Sequence, residues 1–439
     1  MKITLVAIGS RGDLQPYLAL GLGLQAAGHV VRLASARNEA AFVAAHGLPF
    51  WPLEVDVRQL LDQGVVGDTR GGNNPLRFFW NTLRPPAQVR ALQRAVQRGV
   101  TAACASADAV IYHPGQGLPF YLAQAAGQLS VLAAPFPMVA TAHYPAILFY
   151  RGWQWGGRLN MLTHRLFDRL FWALARTPAR EYWQQHHASR PDFSTSALRQ
   201  QLRSGQPVLL GYSPLLFAPD PAWEPHVRVT GAWTLPPDPN FQPSPALAAF
   251  LAAGPAPFYV GFGSMKNDPA SLIALVAEVV RRTGRRAVLG LGWSRRADDA
   301  PLPPQLLLVE SVPHAWLFPR MSAVVHHGGA GTVHAGLAAG RPTVVVPHLG
   351  DQPAWGQRVF ELGVGSRPIP REKLTAEKLV AALAAVWQPA VVAAAHALGQ
   401  RLSQENGVAQ AVAAIEGHQS AGPGHGQAAT ASVPAPAAP

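Results

Sequence analysis

One cysteine, Cys104, stands in 439 residues. No disulfide can form within the chain, and such usage fits a reducing, cytoplasmic compartment. Long apolar runs are also missing. No stretch of about 18 unbroken apolar residues occurs, so no transmembrane helix is expected. The start, Met1-Lys2-Ile3-Thr4, leads straight into a strand pattern and not into a signal peptide. Charge is sparse: 14% of residues are Asp, Glu, Lys or Arg, and acids are the scarcer sign, 24 against 36 bases. The resulting net charge of +12 attracts anions: a nucleotide, an anionic membrane surface or nucleic acid. The bases are scattered and no aromatic-basic RNA motif appears, which argues against nucleic acid. No Asp-x-Asp pattern is present. His326, His327, His334 and His348 lack a recognised ligand spacing, and no cysteine joins them. No metal or other cofactor is therefore expected.

Apolar residues make up 49% of the chain, enough for packed interiors, and the length implies two or three domains. Lys2 to Ile8 reads as a buried strand, Gln15 to Ala27 as a helix stopped at Gly28, His29 to Ser35 as a second strand. Asn38 reads as the cap of a helix running to His46, and Gly64 to Pro75 as a mobile loop. The alternation continues and predicts an α/β fold with doubly wound parallel sheets. Residues 236–245 are Pro-rich and mark the best domain boundary. The expected division is a domain over 1–235, a linker over 236–255, a second domain over 256–388, a helix over 389–417 and a disordered tail over 418–439. Between Pro145 and Trp183, nine Phe, Tyr and Trp residues are interleaved with arginines. That stretch reads either as an aromatic helical hairpin packed on the sheet or as an acceptor pocket or membrane-facing lip.

The most informative stretch lies in the C-terminal third. Ala323 to Val325 is a short strand. Gly328-Gly329-Ala330-Gly331 is a turn with little side-chain bulk, and Thr332 opens a helical segment. A Gly-rich turn feeding a helix N-terminus binds anions, because unpaired N–H groups point outward and the dipole favours negative charge. His327, just before the turn, can donate to a phosphate oxygen. Asp351-Gln352 follows the next strand, where open α/β sheets bind ligands, and a carboxylate beside a carboxamide suits a ring of hydroxyls.

These residues resemble the nucleotide-sugar signature of family-1 glycosyltransferases, UDP-glycosyltransferase-like. More narrowly they resemble the branch with sterol 3-beta-glucosyltransferases and their bacterial relatives. Gly9-Ser10-Arg11-Gly12-Asp13-Leu14-Gln15-Pro16 and Tyr259-Val260-Gly261-Phe262-Gly263-Ser264-Met265 resemble the same branch, in the expected order. The resemblance implies a GT-B architecture: two Rossmann-like domains facing an inter-domain cleft, with the last helix crossing back. It implies an inverting, metal-independent transfer of a hexose, by default glucose, from a UDP-sugar. The acceptor would be a hydroxyl of a lipophilic molecule: sterol-like, or a polyketide, flavonoid or carotenoid alcohol. A TDP donor stays open.

In that branch the aspartate matching Asp13 is the base; many relatives place histidine there instead. From the residues alone, Asp13 reads as a base, as the cap of a helix beginning at Leu14, or as both. His113, at another strand end, is the alternative base, or a pocket histidine on the acceptor side. By resemblance Ser10 and Arg11 reach across to the donor, and Ser264 touches nucleotide or phosphate. Val312 and His314 hold base and ribose. His327, Ala330, Gly331 and Thr332 hold the diphosphate, and Asp351 and Gln352 hold the sugar. Trp316 and His326 read as packing residues. Two further functions fit a nucleotide-sugar site, an epimerase and a non-catalytic sensor. Contact with the inner face of the membrane is the remaining expectation.

Overall fold

The computed structural model describes residues 1–9, 11–56, 87–153, 155–263, 268–292 and 301–420. The expected loop at Gly64 to Pro75 and the tail beyond Ser420 lie outside these. Continuous apolar runs form strands buried on both faces, as in parallel sheets. The first half runs β1 (Lys2–Val6), α1 (Arg11–Ala26), β2 (Val30–Ala36), α2 (Ala40–Ala44) and β3 (Phe50–Leu53). It continues with α3 (Ala87–Cys104), β4 (Ala109–Tyr112), α4 (Leu118–Ala126), β5 (Leu129–Ala134), α5 (Gly157–His186), α6 (Ala197–Ser204), β6 (Val208–Leu210) and β7 (Val227–Val229). The strands form a seven-stranded parallel sheet, ordered β3-β2-β1-β4-β5-β6-β7.

The second half runs α7 (Pro245–Ala252), β8 (Phe258–Gly261), α8 (Pro269–Thr283), β9 (Ala287–Gly290), β10 (Leu306–Val309), α9 (His314–Leu317) and β11 (Val324–His326). Then come α10 (Ala330–Ala338), β12 (Thr343–Val345), α11 (Gln352–Glu361), α12 (Ala376–Val386), α13 (Pro389–Leu402) and α14 (Gly407–Ser420). Its sheet has five parallel strands, ordered β10-β9-β8-β11-β12. In both sheets the order reverses beside the first strand, at β1/β4 and at β8/β11. Ligands in open α/β sheets bind outside the strand ends at such a point. The two crevices hold the candidate residues.

Four expectations need correction. α1 begins at Arg11, so Asp13 sits within the first helical turn and does not cap a helix starting at Leu14. The segment after β2 starts as a single 3-10 turn, Arg37–Glu39, with no side-chain cap from Asn38; the Asn38 amide donates to Glu39 instead. The aromatic stretch is not a hairpin: α5 is one helix of 30 residues that carries Pro178 inside it. The C-terminal helix over 389–417 is two helices, α13 and α14, broken at Ser403–Asn406. Within the residues expected to form a linker, Ser244 caps α7, its side chain accepting from the Leu247 N–H, with Pro245 in the first turn.

α14 lies on α1, where Ala411, Val412, Ala414 and Ile415 join the core built by Leu14, Leu18 and Leu24. His29 on the first half and Glu416 on α14 are 3.2 Å apart. Elsewhere the halves meet through Trp355 on α11, whose ring packs edge-on against Phe217 at 5.2 Å and Tyr212 at 6.5 Å.

Candidate active site

At the first crevice the chain leaves β1 through Gly9 and enters α1. Asp13 is exposed, and its carboxylate folds back over Gly9, where a Cβ would lie 2.5 Å from Oδ2. Its place in the first turn puts its charge at the positive end of the helix. His113 follows β4. The backbone N–H of Gly115 donates to its Nδ1 at 3.0 Å, so the ring proton belongs on Nε2. Tyr17 and Phe136 meet the ring edge-on at 5.9 and 6.1 Å. Burial lowers its pKa and the neighbouring Asp13 partly offsets this. The accepting nitrogen of His113 is thus already occupied, and Asp13 is the better placed proton acceptor.

Arg11 reaches along its own domain and not across the cleft. Its guanidinium lies 4.6 Å from the Phe42 ring centroid, and Nε is 3.9 Å from Oε2 of the buried Glu39. Burial raises the Glu39 pKa, an effect Arg11 opposes. That buried acid explains why the arginine turns inward. Ser10 and Ser264 lie outside the described residues.

The second crevice gathers around the turn between β11 and α10. Gly328 has φ +90°, and a Cβ there would lie 2.6 Å from Val345 Cγ1, so only glycine fits. Gly329 then begins α10 without any side-chain cap. The first intrahelical acceptor bond is Val333 N–H to Gly329 O, which leaves the N–H groups of Ala330, Gly331 and Thr332 at the open end. Space above Gly331 is clear: nothing lies within 4 Å of a Cβ built there.

His327 stands beside this end, its ring 3.4 Å from a Cβ built on Gly263 after β8. Its Nδ1 is buried with no hydrogen-bond partner among the described residues. Burial, then His348 and His314, push its pKa down to about 4. The neutral ring can give a phosphate oxygen one hydrogen bond and adds no positive charge. His326 is fully buried, and its Nδ1 accepts the Gly328 N–H at 2.9 Å, which shapes the turn. His314, at the start of α9, stacks on Phe318 at 4.3 Å and burial takes its pKa to about 4. Val312 is half-buried against the same small core. Trp316 is half-buried, with Arg320 4.1 Å over its ring.

Asp351 and Gln352 sit at the start of α11. The Trp355 indole N–H donates to Asp351 Oδ2 at 2.7 Å. Burial raises the Asp351 pKa to about 6; Trp355 opposes this, and the charge of Asp13 adds to it. α1, which carries Asp13 in its first turn, packs against α10 of the second domain. Gln352 is buried, and its Oε1 accepts the backbone N–H groups of His348 and Leu349, at 2.8 and 3.1 Å. Its carbonyl end therefore holds the loop in place. Among the described residues no three His, Cys, Asp or Glu side chains gather as metal ligands.

Two roles escaped the sequence reading. Trp355 holds Asp351, and the spacing of four on one helix face was the available signal. His334, on α10, accepts the Ser213 N–H at 3.1 Å through Nε2, while Nδ1–H donates to Ala330 O at 2.7 Å. It joins the second domain to the loop after β6, which no local pattern reveals.

Two parallel-sheet domains whose strand order reverses beside β1 and beside β8 form the GT-B architecture. Solved structures share this fold over nearly the whole chain. The glycotransferase of kitacinnamycin matches with a TM-score of 0.67 at 22% identity, covering 94% of this chain and 98% of that one. Glycosyltransferase VinC, solved in complex with DTDP, matches at 0.63 and 19%, covering 96% and 100%. Residues 3–145 match the glycosyltransferase family 28 N-terminal domain. Residues 274–414 match the erythromycin biosynthesis protein CIII-like C-terminal domain. A sterol 3-beta-glucosyltransferase of Arabidopsis thaliana is 32% identical over 432 residues, 95% of this chain and 68% of that protein. One from Neosartorya fischeri is 34% identical over 430 residues, 94% of this chain but 29% of the longer fungal protein. The chain belongs to the glycosyltransferase family that includes the sterol 3-beta-glucosyltransferases.

Proposed function

We propose that this chain transfers a hexose, glucose by default, from a UDP-sugar to a hydroxyl of a lipophilic acceptor. The configuration at the anomeric carbon is inverted and no metal ion takes part. The observation that carries the reading is the uncapped end of α10, open above Gly331 and packed against α1, whose first turn carries Asp13. In the reaction Asp13 takes the acceptor's hydroxyl proton as the oxygen forms its bond to the anomeric carbon. The bond from that carbon to the diphosphate oxygen breaks, and UDP leaves with the electron pair. The open N–H groups of α10 and the His327 ring stabilise the departing charge, and the Asp351 carboxylate accepts from the sugar hydroxyls. Relatives named as sterol 3-beta-glucosyltransferases support a sterol-like alcohol as the acceptor.

UDP release from UDP-glucose, with and without a sterol, tests this. UDP is expected only when both substrates are present, and chelator treatment leaves the rate intact. Asp13→Asn lowers kcat by about 10² to 10⁴ while UDP binding changes little. A variant as fast as the parent removes Asp13 from the mechanism. An isomerised sugar formed without acceptor indicates an epimerase, and binding without product across an acceptor panel indicates a sensor.

A further inference from the structure

The first half of α5 carries an apolar stripe left open to solvent. Leu159, Leu162 and Leu166 are 52%, 58% and 44% exposed, and Trp153, just before the helix, is 68% exposed. At about 100° per residue, the three leucines fall within about 60° of one another. Asn160, Thr163, His164 and Phe167 occupy the other side and are buried. Arg158, Arg165 and Arg169 are exposed and fall within about 40° along one edge of the stripe. No described carboxylate forms an ion pair with them. Asp168, the acid on this part of the helix, is taken by Arg199 at 2.7 Å.

We propose that this face docks on an anionic lipid surface. The leucines and Trp153 enter the boundary between headgroups and acyl chains, and the arginines meet lipid phosphates. Trp suits that depth because its indole is apolar at one end and polar at the other. A second copy of the chain is a poorer occupant. Antiparallel pairing of two such stripes would oppose one arginine row to the other, with no free carboxylate on this part of the helix to separate them. Among the described residues no single helix is long and apolar enough to cross a membrane, so the helix lies on the surface. The net charge of +12 acts in the same direction. The surface stands independently of the proposed transfer reaction.

Flotation of the full chain with phosphatidylcholine vesicles, with or without about a third phosphatidylglycerol, tests the proposal. The protein is expected to float with the anionic vesicles and to detach in high salt. Replacing Arg158, Arg165 and Arg169 together by Glu lowers partitioning by about a hundredfold, since each basic group contributes about a factor of five. Replacing Leu159, Leu162 and Leu166 together by Ser lowers it by at least about tenfold. Both variants melt like the parent, because all six positions are exposed. No binding to either vesicle overturns the proposal, as does equal binding by parent and variants. A dimer that the leucine variant dissociates, without vesicle binding by the parent, assigns the face to a second copy instead.

Discussion

Asp351 can hold a sugar only if its carboxylate keeps one orientation, and Trp355 supplies that constraint. The indole N–H takes Oδ2, and the ring is fully buried between His334, at 5.4 Å, and Phe217, at 5.2 Å. Asp351 is thus anchored in the joint between domains. Trp355→Phe keeps most of the ring packing and removes the single donor. It should raise KM for UDP-glucose by about tenfold, roughly the loss of one hydrogen bond to a carboxylate, and leave inhibition by UDP unchanged. The pH at which donor binding changes should also move upward, because Trp355 holds the Asp351 pKa down. Equal weakening of UDP and UDP-glucose would show that the residue merely supports the fold.

At the scale of the element, the turn into α10 separates two roles for glycine. Gly328 is needed by the fold, since its φ is +90° and Val345 and the Gln352 backbone oxygen crowd any Cβ. Gly331 is not: it lies in the first turn of α10 with clear space around it. Gly331→Ala should raise the melting temperature slightly, since Ala is favoured over Gly in a helix by up to about 1 kcal/mol. It should also weaken UDP binding by at least about tenfold, because the methyl group occupies the path of the diphosphate. Gly328→Ala should lower both. If Gly331→Ala left UDP affinity intact, the diphosphate would have to bind elsewhere. This turn was readable in the sequence because its physics is local: a strand, small residues and a helix start. The strands were readable for the same reason, through continuous apolar runs such as Phe258–Gly261. What was not readable depends on distant partners. Arg11 turns toward Glu39, 28 positions away, and the Gln352 carbonyl is spent on its own loop. Pro178 lies inside α5, where packing of Phe167, Trp172 and Tyr182 outweighs one lost backbone bond.

At the scale of the whole molecule, one bond between the domains depends on a neutral imidazole. His334 accepts the Ser213 N–H through Nε2, which a protonated ring cannot do. Burial brings the pKa of His314, His327, His334 and His348 down to about 4 and takes His326 lower still. In the unfolded chain each returns to about 6.5. The unfolded state therefore binds more protons between these values, and stability rises with pH across that window. The contribution is fully present above about 6.5 and is lost as pH falls toward about 4. Asp351 acts in the opposite sense, because its raised pKa makes protonation favour the folded state as pH falls through about 6. Glu39 and Glu405, also raised by burial, act with Asp351, while His113 and His164, also lowered by burial, act with the five imidazoles, which leaves the histidines dominant. Each imidazole should cost about 1 kcal/mol per pH unit below 6.5, allowing for the partial exposure of His314, His327 and His348. The urea midpoint should fall steeply between pH about 6.5 and about 5, before most carboxylates titrate. His334→Gln keeps an acceptor for Ser213 and cannot be protonated, so its pH dependence should be shallower by about one proton. A midpoint indifferent to pH over that range would mean that these imidazoles are hydrated in solution and that the domains are not held by the neutral His334 contact.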